Sequence, residues 1–252
     1  EAILTAADRV PSIGLAGGHV YNLWQDRRHE RGLWRRIPLA AYLDGEPAWE
    51  TLLDLDTLNI ARSQNWVWKG AQCLPPAFRR CLIKVSRGGG DAIVVREFDV
   101  PSRSFVARGF AVAEAKTEIA WVDSNTVLVA TNWGGDTLTR AGYPRVVKLW
   151  RRGQSLQAAE IVYEGSVSDI AVTPQSVFTS DGKVERFIVR GLGASGEELF
   201  HVDANWRVTR VTMPTFAAFK GLHRRQLLFL LTRDWRTAGR IFLQGSVISF
   251  SL

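Results

Sequence analysis

Related stretches recur along this chain at a spacing of roughly 50 residues. They open near Pro11, Asn65, Thr117, Val167 and Thr215. A repeat of this length, written in short apolar runs between turn residues, constrains the fold strongly. One unit cannot bury both faces of its own sheet, so neighbours must stack. The architecture that follows is all-β: a β-propeller of four-stranded antiparallel blades. The reading is a single domain over 1–252 with about five blades, at approximately 11–64, 65–116, 117–166, 167–214 and 215–252. The last copy has room for three strands and not comfortably four. It is incomplete, or else Ala2-Ile3-Leu4-Thr5 supplies its outer strand and removes an exposed edge.

Composition agrees with this reading. Hydrophobic residues are 46% of the 252, enough for a sizeable core, and ten Trp and twelve Phe against one Met favour rigid strand packing. No apolar stretch approaches the ~18 residues of a membrane span. The opening residues Glu1 to Thr5 contain no initiator Met and no signal-like run, so a trimmed N-terminus is expected. The compartment, cytoplasmic or periplasmic, is therefore left open.

A net charge of +7 invites anionic partners, but the arginines are dispersed. Pairs occur at Arg27-Arg28, Arg35-Arg36, Arg79-Arg80, Arg151-Arg152 and Arg224-Arg225, each at or near an expected strand end. Solvated blade rims are the expected role. Neither nucleic acid nor membrane is an expected partner, because no single face concentrates charge. Cys73 and Cys81 flank the loop Leu74 to Arg80. A cross-strand disulfide is one reading, and two free, buried thiols are the preferred one.

Expected strands can be placed blade by blade. Blade one uses His19–Trp24 and Leu33–Leu39, and Trp49–Leu55 reads as an outer strand or a short helix. Blade two uses Trp66–Trp68, Cys81–Val85, Ala92–Phe98 and Ser104–Val106. Blade three uses Glu118–Val122, Thr126–Thr131, Arg145–Trp150 and Ala159–Tyr163. Blade four uses Ser168–Val172, Glu185–Val189, Glu198–Val202 and Thr209–Val211. Blade five uses Phe216–Phe219, Leu227–Leu231 and Ser246–Leu252.

Several patterns that carry chemistry elsewhere are weak here. An α/β-hydrolase nucleophile needs a Gly-x-Ser-x-Gly elbow. The nearest approach, Gly193-Ala194-Ser195-Gly196, has the wrong spacing and reads as a hairpin loop. His19, His29, His201 and His223 lack metal-ligand spacing, and His19 and His201 are expected to be packed or hydrogen-bonded in strands. Gly88-Gly89-Gly90 precedes a strand rather than a helix, so a turn is expected and not a phosphate loop. Asp26, Asp123, Asp136 and Asp234 follow apolar strands and read as turn-stabilising residues. Trp24, Trp133 and Trp235 end apolar strands and read as packing residues between neighbouring blades.

Particular stretches add to the pattern. They are Arg31-Gly32-Leu33-Trp34-Arg35-Arg36 with Trp49-Glu50-Thr51-Leu52-Leu53-Asp54, and Gly70-Ala71-Gln72-Cys73-Leu74-Pro75-Pro76 with Gly88-Gly89-Gly90-Asp91-Ala92. Further along are Val95-Arg96-Glu97-Phe98-Asp99 and Gly142-Tyr143-Pro144-Arg145-Val146-Val147-Lys148-Leu149-Trp150. In this order, over essentially the whole chain, they resemble the N-terminal propeller of the prolyl oligopeptidase family of serine peptidases. The resemblance implies a seven-bladed propeller joined to an α/β-hydrolase domain whose Ser-Asp-His triad faces the propeller. It implies cleavage of short peptides, often after proline, with the propeller channel as a filter.

The catalytic elbow and the hydrolase domain are not in these residues, and about five blades stand where the family has seven. No catalytic, cofactor-binding or metal residue is therefore assigned, no cofactor is expected, and peptide hydrolysis by this chain alone is not expected. The expected partners are a C-terminal α/β-hydrolase domain of the same polypeptide and short peptide substrates passing the channel. The strands expected to line or back that channel lie near Ile13, Trp66 to Trp68, Ile119 to Trp121, Ser168 to Ile170 and Phe216 to Phe219. The alternative is a stand-alone five-bladed propeller acting as a peptide- or protein-binding module.

Overall fold

The computed structural model describes residues 11–45 and 48–252, so Ala2 to Thr5, the segment expected to complete the last blade, lie outside the described residues. The chain forms two compact units, Glu1–Ala115 and Lys116–Leu252. Each is built from antiparallel sheets in which consecutive strands pair, the arrangement of propeller blades.

In the first unit, sheet one runs β1 (Ile13–Ala16), β2 (His19–Trp24), β3 (Leu33–Pro38) and β4 (Glu50–Asp54). The β1–β2 turn is Gly17-Gly18, with φ of 54° and 71°. Two positive values in a two-residue hairpin suit the twist of the flanking strands, and only glycine adopts them without strain. Helix α1 (Leu39–Leu43) sits between β3 and β4, and α2 (Leu55–Arg62) follows β4. Trp49–Leu55 thus splits: Glu50–Asp54 is the outer strand, and a helix begins at its end. Asp54 caps that helix by accepting from the Thr57 N–H, with Asp56 in the first turn and Arg62 in the last.

Sheet two runs β5 (Trp66–Cys73), β6 (Arg80–Arg87) and β7 (Ile93–Asp99), then an outer strand in two pieces, β8 (Ser104–Phe105) and β9 (Ala111–Ala115), both paired with β7. The break is filled by Glu97, whose buried carboxylate accepts from the Phe110 N–H at 2.9 Å. Cys73 and Cys81 face each other at the end of the β5–β6 ladder, with Cα atoms 3.9 Å apart, and they form a disulfide. This corrects the expectation of free thiols: a directly opposed cross-strand pair brings the two Sγ atoms within bonding reach. Sheets one and two share a core of Tyr21, Trp34, Leu52 and Leu53 against Cys81, Ile83, Val85 and Phe98.

In the second unit, sheet three runs β10 (Glu118–Asp123), β11 (Thr126–Ala130), β12 (Val146–Arg151) and β13 (Glu160–Glu164), within a residue or so of expectation. Sheet four runs β14 (Ala171–Phe178), β15 (Val184–Gly191), β16 (Glu197–Val202) and β17 (Val208–Arg210). The first strand starts later and runs further than the expected Ser168–Val172, straight through Pro174. Proline is tolerated because β14 is an edge strand: the Val172 N–H points away from β15, to the Pro144 carbonyl, and the Pro174 nitrogen two residues on faces the same side. No ladder bond is lost.

The fifth sheet joins β18 (Ala217–His223), β19 (Gln226–Leu231) and β22 (Val247–Ser251). Three strands are what the expected room allows. A separate hairpin, β20 (Trp235–Thr237) with β21 (Arg240–Phe242), lies between β19 and β22 and was not anticipated.

Alternation along β15 shows how the blades of this unit are held. Ile188 joins Leu128, Leu149 and Val172 in one core cluster, and the adjacent Phe187 points the opposite way into a cluster with Leu227 and Phe229. Successive side chains on opposite faces of one strand thus cement sheets three, four and five, each full burial contributing about 2 kcal/mol. The loop after β15 is drawn close to the next segment: the Glu197 N–H donates to the Thr215 carbonyl. A Cβ on Gly196, whose φ is 95°, would lie 2.0 Å from that oxygen. The architecture is an all-β propeller of five antiparallel blades.

Candidate functional site

β1, β5, β10, β14 and β18 are each the first strand of a sheet and occupy its edge. Ile13 and Ile170, beside two of these edges, are exposed, whereas Ile119 to Trp121 are buried. In the first unit a groove of about 370 Å³ opens where β1 and β5 approach, with Ile13, Gly14, Asn22, Trp34, Trp68 and Ala71 in its walls. Register puts these residues there. Ile13 opposes Asn22 across β1–β2, and Trp68 opposes Val85 across β5–β6, so Trp68 turns toward the shared core while its edge stays open. Buried Asn22 accepts from Arg35 Nε at 3.0 Å. The Arg35 guanidinium lies 4.4 Å from the Trp24 ring and 4.3 Å from the Trp49 ring. Burial lowers its basicity, partly offset by the charge of Asp26.

A second hollow, of about 330 Å³, lies on the blade-two face under α2. Ile83, Val85, Val94 and Leu58 make its apolar floor, Trp66 and Phe105 its aromatic walls, and Arg62, Arg87 and Arg96 bring cations to it. On β7 the residues on this face are Val94, Arg96 and Phe98, opposite Val85, Ile83 and Cys81. Arg96 thus stands in an otherwise apolar column, with its guanidinium 4.4 Å from the Phe105 ring. Burial lowers its basicity, and the neighbouring positive charge of Arg62 lowers it further.

The second unit carries an ion-pair cluster. The Asp169 carboxylate, 1% exposed, accepts from Arg190 Nε at 2.8 Å and from the Ser166 N–H at 2.7 Å. Arg190 also reaches Glu198 at 3.2 Å, and Glu198 holds Arg210 at 2.9 Å. The hydrogen bond that Arg190 donates to Asp169 raises the basicity of Arg190, outweighing burial.

Residues singled out in the sequence separate into local roles. His19 Nδ1 lies 2.9 Å from the Gly17 carbonyl, and His201 Nε2 lies 2.9 Å from Glu185, both in strands. Asp26 accepts from the Trp24 indole and from the backbone of Arg28 and His29, and the Trp24 bond leads in holding its carboxyl at about 2. Asp123 accepts from the Asn125 N–H two residues on, as turn residues do, whereas Asp234 departs from the expected turn role and accepts from the Gln244 N–H ten residues on, across the β20–β21 hairpin. Asp136 contributes its carbonyl to Arg145. Gly88 to Gly90 form the β6–β7 turn, and Ser195 lies in the β15–β16 loop.

Trp24 and Trp133 carry cations from their own sheets, Arg35 and Lys148, while Trp235 packs on the cluster between sheets four and five. The arginine pairs are more engaged than solvated rims would be: Arg36 bonds Glu50 at 2.6 Å, Arg79 and Arg80 reach Asp99, and Arg151 pairs with Glu160. Among the described residues no group of three or more His, Cys, Asp and Glu is placed to hold a metal, and no helix is long and apolar enough to cross a membrane.

Comparison with known proteins places this geometry. The profile of the prolyl oligopeptidase N-terminal beta-propeller domain matches residues 3–234. An uncharacterized peptidase of Sinorhizobium fredii, y4nA, is 40% identical over 99% of this chain and 35% of its own length. An uncharacterized peptidase of Rickettsia prowazekii, RP174, is 27% identical over 92% of this chain and 34% of its own. Among solved structures, a post-proline cleaving enzyme from Rickettsia typhi superposes with a TM-score of 0.90 at 25% identity, over 99% of this chain and 38% of that one. Oligopeptidase B from Leishmania major shares the fold, with a TM-score of 0.68 at 13% identity over 95% of this chain and 32% of that one. The chain spans about a third of the length of the curated relatives it matches.

Proposed function

This chain belongs to the prolyl oligopeptidase family as its N-terminal β-propeller domain, and from that premise we propose that it is the substrate-gating portion of a serine peptidase that cleaves short peptides. On this reading residues 1–252 act as one domain against a C-terminal α/β-hydrolase domain of the same polypeptide. The hydrolase domain supplies nucleophile, base and oxyanion donors, which must be assembled in one place to transfer an acyl group. The propeller contributes no reacting group. It selects by size: a folded substrate cannot bring its backbone to the nucleophile past a wall of blades, while a short flexible peptide can.

The observation that supports the reading best is the pairing of a family match over 3–234 with relatives, named as peptidases, that are about three times as long. The open β1–β5 groove adds a surface with apolar and amide character suited to an extended peptide. The test uses the full-length polypeptide that carries this propeller. Ala71→Trp, which fills the groove, should lower kcat/KM for long peptides more than for a dipeptide substrate. Equal loss at every length, or no loss, overturns the gating role. Failure of the full-length protein to cleave any peptide overturns the peptidase reading itself.

A further inference from the structure

We propose that the hollow beneath α2 is a binding site for a carboxylate on an apolar body, with the chemistry of a peptide's C-terminal residue. The inference stands apart from the gating role. It begins with the charge of Arg96. A half-buried guanidinium on a strand face is normally met by a carboxylate, because leaving it unpaired in a low-dielectric setting is costly. Arg96 has no carboxylate partner among the described residues. Its neighbours are the Phe105 ring and a second cation, Arg62, at the end of α2. Arg62 likewise has no carboxylate partner among the described residues.

The third arginine behaves differently. Arg87 is 3.7 Å from Glu114 and donates to Gln64 at 3.2 Å, so its position is held by the protein. The hollow therefore presents two guanidinium groups whose mutual repulsion an anion would relieve. A guanidinium offers paired N–H donors that match the two oxygens of a carboxylate.

The remaining walls say what the anion should be attached to. Leu58, Ile83, Val85 and Val94 make an apolar floor, and Trp66 stands beside it. A bare inorganic anion leaves that floor unused, whereas an apolar side chain next to a carboxylate fills it. The volume of about 330 Å³ suits one or two residues. Positive charge set beside an apolar floor thus selects the last residue of a peptide rather than its interior, where no carboxylate exists.

The test is calorimetric titration of the full-length polypeptide carrying this propeller with acetyl-Phe-Ala-Leu as the free acid and as the C-terminal amide. The acid should bind at least about tenfold more tightly than the amide. Arg96→Gln should cost at least about tenfold in affinity for the acid and leave the amide unchanged, and Arg62→Gln should cost less because that group is exposed. Phenylpropionate, an apolar carboxylate with no peptide bonds, should bind more weakly than the tripeptide acid, and inorganic phosphate should not compete at equal concentration. Acid and amide binding alike, phosphate competing as well as the tripeptide acid, or phenylpropionate binding as tightly as it does, overturns the assignment. Thermal melts of both variants guard against a folding defect. Should Arg96→Gln unfold the protein, Phe105→Ala with Arg62→Gln carries the same acid-against-amide comparison, and an unchanged preference there also overturns it.

Discussion

Arg96 and Arg190 sit in the same kind of place and are treated in opposite ways. Each lies half-buried on an interior strand, β7 in the first unit and β15 in the second. Arg190 is met by Asp169 at 2.8 Å and Glu198 at 3.2 Å, and its basicity rises. Arg96 is met by an aromatic ring and by another cation, and its basicity falls. A saturated arginine is part of the scaffold: removing it orphans the carboxylate it serves. Removing Arg96 orphans no carboxylate among the described residues, and its contact within the fold is the Phe105 ring.

The two arginines part company when each charge is deleted. Arg190→Leu leaves the nearly inaccessible Asp169 carboxylate without its counter-ion and should cost about 3 kcal/mol in denaturant unfolding. If it costs no more than Arg96→Leu, the distinction fails. A second effect separates covalent from ionic support. Replacing Cys73 and Cys81 together by Ser opens a short loop in the unfolded state and should cost about 2 kcal/mol, read as a lower unfolding midpoint. Insensitivity to that change would mean that the ladder alone closes the β5–β6 hairpin.

Arg96→Leu should fall within about 1 kcal/mol of the parent, since relief of an unpaired charge offsets the lost contact with Phe105. A larger loss would make Arg96 structural after all. The smallest effect concerns Arg35, an intermediate case, stacked on two Trp rings with Asp26 nearby. The Asp26 carboxyl is depressed from 3.8 to about 2, so its contribution to stability is present above about pH 4 and is lost as pH falls toward 2. The Trp24 indole N–H resonance should report that midpoint, and Asp26→Asn should flatten the acid slope. A midpoint near 4 would show that the Trp24–Asp26 bond does not persist in solution.

Much of the fold could be read from residues, and the failures have local causes. Sheet three was legible because Glu118–Val122 and Thr126–Thr131 flank a tight Asp-Ser-Asn turn. The full length of β14 is hidden in the sequence because proline inside an apolar run argues against a strand, and only the sheet order shows that Pro174 stands on an edge. Trp49, Leu52 and Leu53 imitate helical spacing within a strand, while the true helix signal, Asp54 as cap with Asp56 and Arg62 at the ends, came directly afterwards. The β20–β21 hairpin turns on Ala238-Gly239, and its three-residue arms are too short to carry a strand pattern in the sequence. The arginine hollow was not legible. Arg96 and Glu97 are adjacent and look like one solvated pair, yet alternation sends them to opposite faces, and only register places Arg96 in a column with Val94 and Phe98.

The proline in β14 has a consequence for assembly. Along that edge the donor at Val172 is already taken by Pro144, and at Pro174 there is no donor at all. An extended segment laid alongside would meet two consecutive gaps where hydrogen bonds should form. The edge is therefore a poor template for strand addition, either by another copy of the chain or by a peptide sliding past. An unfolded polypeptide can brush this rim without being zipped onto it.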